Sequence, residues 1–256
     1  MHVRPTARNM EDAALLFSVI AGYDARDPFS VAGPVPDVLA ATRAPVAGMR
    51  VALSLTLGYA RPDADVVAVI EKAGKTLEDL GCIVETVDKV FEKDPADLWT
   101  AEFYAGVGTR LRGVVETQRD LLDPAVAEVL EAALAQEMRD YYEKVFERYV
   151  FREEVRTFFE HYDALVSPVV PVSSLDVGVY IPSHLIDRNL VSWVYYTYPF
   201  NLTGQPAATI CAGLGDGDMP IGLQIVGRSL GEFDVVRLAC AFERVTLSGI
   251  ASVKQI

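Results

Sequence analysis

The segment from Met49 to Val87 constrains the fold of this chain more than any other stretch. Met49-Arg50-Val51-Ala52-Leu53-Ser54 reads as a strand. Pro62-Asp63 then opens a helix whose apolar face is Val66, Ile70, Ala73, Leu77 and Leu80. Gly81 stops that helix, and Cys82-Ile83-Val84-Glu85-Thr86-Val87 reads as a second strand. A strand, a helix and a strand joined by short links form a crossover, which places the two strands parallel in one sheet.

The flanking segments extend this α/β reading. A helix is predicted over 10–21, capped by Asn9, with Glu11 and Asp12 complementing its N-terminal dipole and Gly22 ending it. Residues 23–47 carry four prolines and little periodicity, which predicts a wrapped loop with one helical turn at most. Residues 95–160 read as almost wholly helical. Asp123-Pro124 is a start signal, and Val126, Leu130, Leu134, Met138, Tyr141, Val145 and Tyr149 are predicted to share one stripe. Charged residues fill 26 of the 72 positions 89–160 but only 13 of the 96 positions 161–256. Exposed helices followed by buried strands fit that contrast, so the middle of the sheet is expected in the last third. Its strands are predicted at Ala164–Ser167, Ala207–Ala212 and Ile221–Val226, with a closing helix from about Gly231 to Val245.

Composition removes several function classes. Among 256 residues, 23 Lys and Arg oppose 36 Asp and Glu, and the net charge of −13 disfavours both nucleic acid and anionic membranes as partners. No apolar run approaches the roughly 20 residues that span a bilayer. Met1-His2-Val3-Arg4-Pro5 lacks the layout of a signal peptide, so a soluble cytoplasmic protein is expected. Cysteines stand alone at 82, 211 and 240, and histidines at 2, 161 and 184, so neither a disulfide framework nor a metal site is expected. No cofactor is implied.

The chemistry-bearing patterns are sparse. Gly213, Gly215 and Gly217 join two predicted strands without opening a helix, so they read as a turn rather than a phosphate cradle. Asp216 and Asp218 read as a solvated tip, His161 as a partner of the last carbonyls of its helix, and Ser173-Ser174 as turn hydroxyls with no lysine nearby to serve as base; His184, beside Ser183 and Asp187, reads as a loop residue, with an acid–base role as the alternative. The aromatic run Trp193, Tyr195, Tyr196, Tyr198 and Phe200 fits an apolar pocket wall and plain core equally well. No catalytic residue is assigned.

Four motifs in order carry a resemblance. Arg8-Asn9-Met10-Glu11-Asp12-Ala13-Ala14 with Ile20 to Pro28, Tyr162 to Pro168, Pro199 to Ala207, and Met219 to Gly227 together resemble segments of the amidase signature family. Asp234 and Glu243 fall where that family's last helix carries acids. Arg4 stands before Pro5 where the family commonly has glycine. The resemblance implies a mixed α/β fold, a largely central β-sheet covered by helices on both faces, with residues 1–256 as one domain forming the C-terminal portion of an amidase domain. It implies an amide carbon–nitrogen hydrolase. The family's lysine and two serines have no counterpart here, so the isolated chain is expected to be inactive. A small-molecule amide is the implied substrate of the intact enzyme, and Trp193, Tyr198, Asn201 and Gln224 are the implied substrate-binding residues. Pairing with an N-terminal half, or self-association through an exposed apolar face, is the implied assembly. The alternative is a non-catalytic binding or interaction module that keeps the fold.

Overall fold

A computed structural model describes residues 5–189 and 193–250. Arg4 therefore lies outside the described residues. Helix α1 spans Met10–Ile20, and the Asn9 side chain accepts from the Asp12 amide as the sequence predicts. The Met10 amide donates to Glu243 Oε2 at 2.7 Å, so one acid of the closing helix anchors the start of the first. After a loop with one short helix, α2 (Val38–Ala41), the chain enters β1 (Arg50–Leu53), α3 (Ala64–Asp79) and β2 (Ile83–Thr86). β1 and β2 pair in parallel, as the crossover requires. Gly81 turns the chain between α3 and β2 at φ +88°, where a Cβ would approach that of Ala47 to 3.1 Å.

The predicted helical stretch is α4 (Ala96–Trp99), a π-helical turn (Thr100–Tyr104), α5 (Ala105–Thr117), α6 (Pro124–Ala135) and α7 (Met138–Phe158). Asp123 caps α6 as expected, bonding the amides of Ala125 and Val126. The single stripe from Val126 to Tyr149 does not form. Gln136 and Glu137 are extended and separate α6 from α7, and Gln136 Nε2 donates to the Ala101 carbonyl at 3.0 Å. Each helix then has its own axis, so Leu130 is buried while Met138 and Tyr149 face solvent.

The remaining strands are β3 (Ala164–Pro168), β4 (Ala207–Leu214) and β5 (Pro220–Gly227). The short α8 (Tyr198–Thr203) precedes β4, and α9 (Glu232–Ile250) closes the chain. The sheet runs β2-β1-β3-β5-β4, parallel through β3 and antiparallel beyond it. The last third thus supplies the central strand β3 and its neighbour β5, whereas β4 ends the sheet. Side chains alternate between two apolar layers. Val51, Leu53, Val166, Leu223 and Ile225 pack under α3 and α9. Ala52, Leu165 and Val226 face the opposite layer, built on Phe151 and Val155 of α7 and Phe200 and Leu202 of α8. The result is the expected mixed sheet with helices on both faces.

Candidate functional site

The parallel strands β1, β2 and β3 end at Leu53, Thr86 and Pro168, and the loops beyond those ends gather on the α7–α8 face of the sheet. In open α/β sheets this is where ligands bind, because the crossover loops leave a crevice outside the carboxyl ends of the strands. Leu57 and Tyr59 come from the first loop, Phe91 from the second, and Leu185, Tyr195 and Tyr196 from the third. Phe91 packs edge-on to Phe151 with ring centroids 5.1 Å apart, and Tyr59 meets both Phe91 and Tyr195. A second ladder runs from Tyr198 to Trp99 at 6.4 Å and on to Phe103 at 4.2 Å, the latter in the π-helical turn.

One polar knot ties these loops together. Asp94 Oδ1 accepts from the Tyr198 hydroxyl at 2.5 Å and from the Ala96 amide at 3.0 Å, and Oδ2 accepts from Arg188. Arg188 in turn lies over the Tyr195 ring, 4.8 Å from its centroid. A second knot is centred on Gln224, buried in β5. Its Nε2 donates to the Tyr196 carbonyl at 2.7 Å and to Ser167 Oγ at 3.2 Å, and the Ser167 hydroxyl donates to the Pro168 carbonyl. The first knot ties Tyr198 and Arg188 to the loop after β2, and the second holds the 195–198 segment against β3 and β5.

The model of the family described as Amidase matches residues 1–236. The chain belongs to the amidase family. It is 30% identical over 250 residues to an acylamidase of Rhodococcus erythropolis, an alignment covering 94% of this chain and 51% of that protein. It is 29% identical over 266 residues to a glutamyl-tRNA(Gln) amidotransferase subunit of Exiguobacterium, covering 94% and 54%. The crystal structure of a bacterial aryl acylamidase of the amidase signature family superposes with a TM-score of 0.83 at 24% identity, covering 98% of this chain and 55% of that one. The chain therefore spans about half the length of the curated relatives it matches.

Within this amidase-family fold, Trp193, Tyr198 and Asn201 of the four residues expected to bind substrate lie in one short segment, and Gln224 reaches that segment through the Tyr196 carbonyl. Tyr198 is buried and bonded to Asp94; burial first, and the Asp94 carboxylate second, push its phenol far above the ordinary tyrosine range. Asn201 Nδ2 donates to the Thr197 carbonyl, one turn back in α8, at 3.0 Å. Gln224 performs the backbone-satisfying duty described above. Trp193 packs half-buried on the aromatic layer, and its indole Nε1 is buried without a hydrogen-bond partner. Sequence reading missed Asp94 and Arg188. Asp94-Pro95 is an acid–proline pair like Asp123-Pro124, which was the available signal.

Gly213 lies in β4 opposite Ile221 rather than in the turn; the β4–β5 connection is 215–219, where Asp65 of α3 accepts the Asp216 amide at 3.0 Å. The His184 ring lies 3.2 Å from the Arg61 carbonyl and 3.6 Å from Asp63. Among the described residues no three His, Cys, Asp or Glu side chains converge as metal ligands, and no helix is long and apolar enough to cross a membrane.

The buried phenols have a consequence for alkaline stability. Burial raises the ionisation of both Tyr196 and Tyr198 far above the ordinary value, so in this range only the unfolded chain loses those protons. Their contribution is complete below about pH 10 and declines as pH rises through it, by about 0.4 kcal/mol per phenol at pH 10. Urea unfolding at pH 8 and pH 10 is expected to differ by at least this amount, and Tyr198→Phe is expected to shrink the difference.

Proposed function

We propose that this chain forms the substrate-pocket wall of a hydrolase that cleaves small, uncharged amides, with the attacking nucleophile supplied from outside residues 1–256. The observation that carries the reading is the aromatic layer at the carboxyl ends of the parallel strands. Over its buried tyrosines it offers the half-buried rings of Tyr59, Trp99, Phe103 and Trp193, and its charged pair Asp94–Arg188 is already mutually neutralised. An acyl or aryl group fits such a wall better than a charged one does. The acylamidase relative supports the reaction class. A role in handling transfer RNA, as the name of the amidotransferase relatives suggests for them, fits poorly with a net charge of −13.

Four serines whose hydrogen bonds are defined support an external nucleophile. Amide cleavage needs an activated nucleophile and a proton donor for the leaving nitrogen. Ser18, Ser30 and Ser54 bond backbone groups, and Ser167 bonds the Pro168 carbonyl and Gln224; none of these four meets a lysine or histidine. The exposed apolar side chains of α1, Leu15, Leu16, Val19 and Ile20, with Phe29 beyond them at 90% exposure, support cover by further amidase structure. The free thiols of Cys82, Cys211 and Cys240 fit the reducing cytoplasm.

The purified 256-residue chain is expected to hydrolyse no acyl anilide above the buffer rate and to take no label from a fluorophosphonate. Hydrolysis that a fluorophosphonate abolishes would overturn the external nucleophile. Joining the chain in frame with the unmatched part of the Rhodococcus erythropolis acylamidase is expected to give anilide hydrolysis. A folded but inactive hybrid would favour the interaction-module reading instead.

A further inference from the structure

We propose that the π-helical turn Thr100–Tyr104 is a specificity element, at which Glu102 accepts a hydrogen bond from a neutral hydroxyl or N–H carried on a flat ring of the amide substrate. This inference rests on the reading of the aromatic layer as a pocket wall and adds the substrate class to it. The turn itself marks the place. α4, the π-helical turn and α5 run without a break from Ala96 to Thr117, so one wider turn interrupts an otherwise regular helix. Such a turn gives up regular helical bonding and is found frequently at functional sites.

The side chains of this turn supply a flat surface and a carboxylate together. Phe103 stacks on Trp99 with ring centroids 4.2 Å apart and planes at 15°, and Trp99 lies at 16° to Tyr198 of α8. Trp99 and Phe103 are half-buried, so the stack offers a flat apolar face to another ring. Glu102 immediately precedes Phe103. Its Oε2 accepts from Arg148 Nη1 at 2.6 Å, and Arg148 Nε donates to the Leu202 carbonyl at 2.7 Å. The stack and the carboxylate are therefore tied to the same short helix one turn apart, at Tyr198 and at Leu202.

One acceptor of this group is unused. Glu102 Oε1 is buried and has no hydrogen-bond partner. A buried carboxylate oxygen without a donor bears its full desolvation cost, and a donor that reaches it removes that cost. The Glu102 side chain is 15% exposed, so this oxygen lies just under the surface of the layer rather than in the deep core. Arg148 already balances the carboxylate charge. A neutral donor therefore fits, whereas a second cation would leave a partly buried charge unbalanced. A ring stacked on Trp99 and carrying an O–H or N–H meets both requirements at once.

The chain labelled with fluorotryptophan gives one fluorine resonance for each of its two tryptophans, Trp99 and Trp193, and Trp193→Phe assigns them. para-Hydroxybenzamide is expected to move the Trp99 resonance and to bind about tenfold tighter than benzamide, the effect of one hydrogen bond to a charged acceptor. para-Methoxybenzamide, which brings an oxygen without a proton, is expected to bind no better than benzamide. Glu102→Gln keeps an oxygen for Arg148 and turns a donor toward the ligand, so it is expected to lose the preference for the hydroxyl. The ligand series in the parent needs no variant and decides the matter if Glu102→Gln does not fold. Equal binding of para-hydroxybenzamide and benzamide to the parent would overturn the proposal. So would a preference that survives in folded Glu102→Gln, or a Trp99 resonance that no ligand moves. The titration involves no hydrolysis, so the two readings fail separately. An inactive acylamidase hybrid beside a selective titration would remove the hydrolase reading and leave the subsite. An active hybrid beside an unselective titration would remove the subsite alone.

Discussion

Asp94→Ala is expected to destabilise the fold by about 3 kcal/mol, the lower end of the cost of breaking a buried ion pair by removing one partner. The carboxylate serves three donors at once: the Tyr198 hydroxyl, the Ala96 amide and Arg188. Its removal leaves a buried phenol and a guanidinium, only 21% exposed, with no acceptor at that position. The remaining exposure of the pair is what keeps the expected cost at the lower end. Asp94→Asn keeps an acceptor for the hydroxyl and the amide but loses the charge, and is expected to cost about 1–2 kcal/mol. Urea midpoints at pH 7 order the three proteins. A second measurement separates a clasp from general packing. With Asp94 gone, the segment around Arg188 loses its tie to the second loop, so trypsin is expected to cut after Arg188 in the alanine variant well before it cuts the parent there. Equal cutting rates would show that the loop is held by its apolar contacts alone.

The parts of this architecture that were legible in the sequence are those written locally. The β1–α3–β2 crossover could be read because its helix face, its glycine stop and its two strands all lie within forty residues. The caps Asn9 and Asp123 bond amides two or three positions ahead, so they too were visible. The α6–α7 break was not. Gln136 and Glu137 carry no glycine or proline signal, and the bond that fixes the break reaches back 35 positions to Ala101. The aromatic run from Trp193 to Phe200 was visible as a cluster. Its partition between wall and core was not, because Tyr195, Tyr196 and Tyr198 are buried by loops that follow β1 and β2. Asp94 shows the limit most clearly: its partners Arg188 and Tyr198 lie 94 and 104 positions away, beyond the reach of any spacing rule. The same reach is what makes it useful to the fold, since one carboxylate joins the second loop to the third.

Gln224→Leu is expected to cost about 2 kcal/mol while changing side-chain volume little. Gln224 is 4% exposed and lies on the β5 face that carries Val226, beneath the aromatic layer. Leucine removes both donors of the side-chain amide, and the Tyr196 carbonyl and Ser167 hydroxyl then lose a buried partner. The penalty comes from those two stranded groups more than from the lost bonds, because a buried acceptor without a donor keeps its full desolvation cost. Ser167→Ala removes one stranded group in advance. The double variant Ser167→Ala with Gln224→Leu is therefore expected to be less destabilised than the sum of the singles, by roughly 0.5–1 kcal/mol of coupling. Additive losses in the cycle would mean that Gln224 acts on Tyr196 alone. In the active hybrid with the acylamidase half, a purely structural Gln224 predicts that kcat and KM for an anilide stay near the parent values at temperatures where the variant is folded. A fall in kcat at unchanged KM would instead give this amide a part in orienting the reacting groups, with the Tyr196 carbonyl as the lever through which it acts.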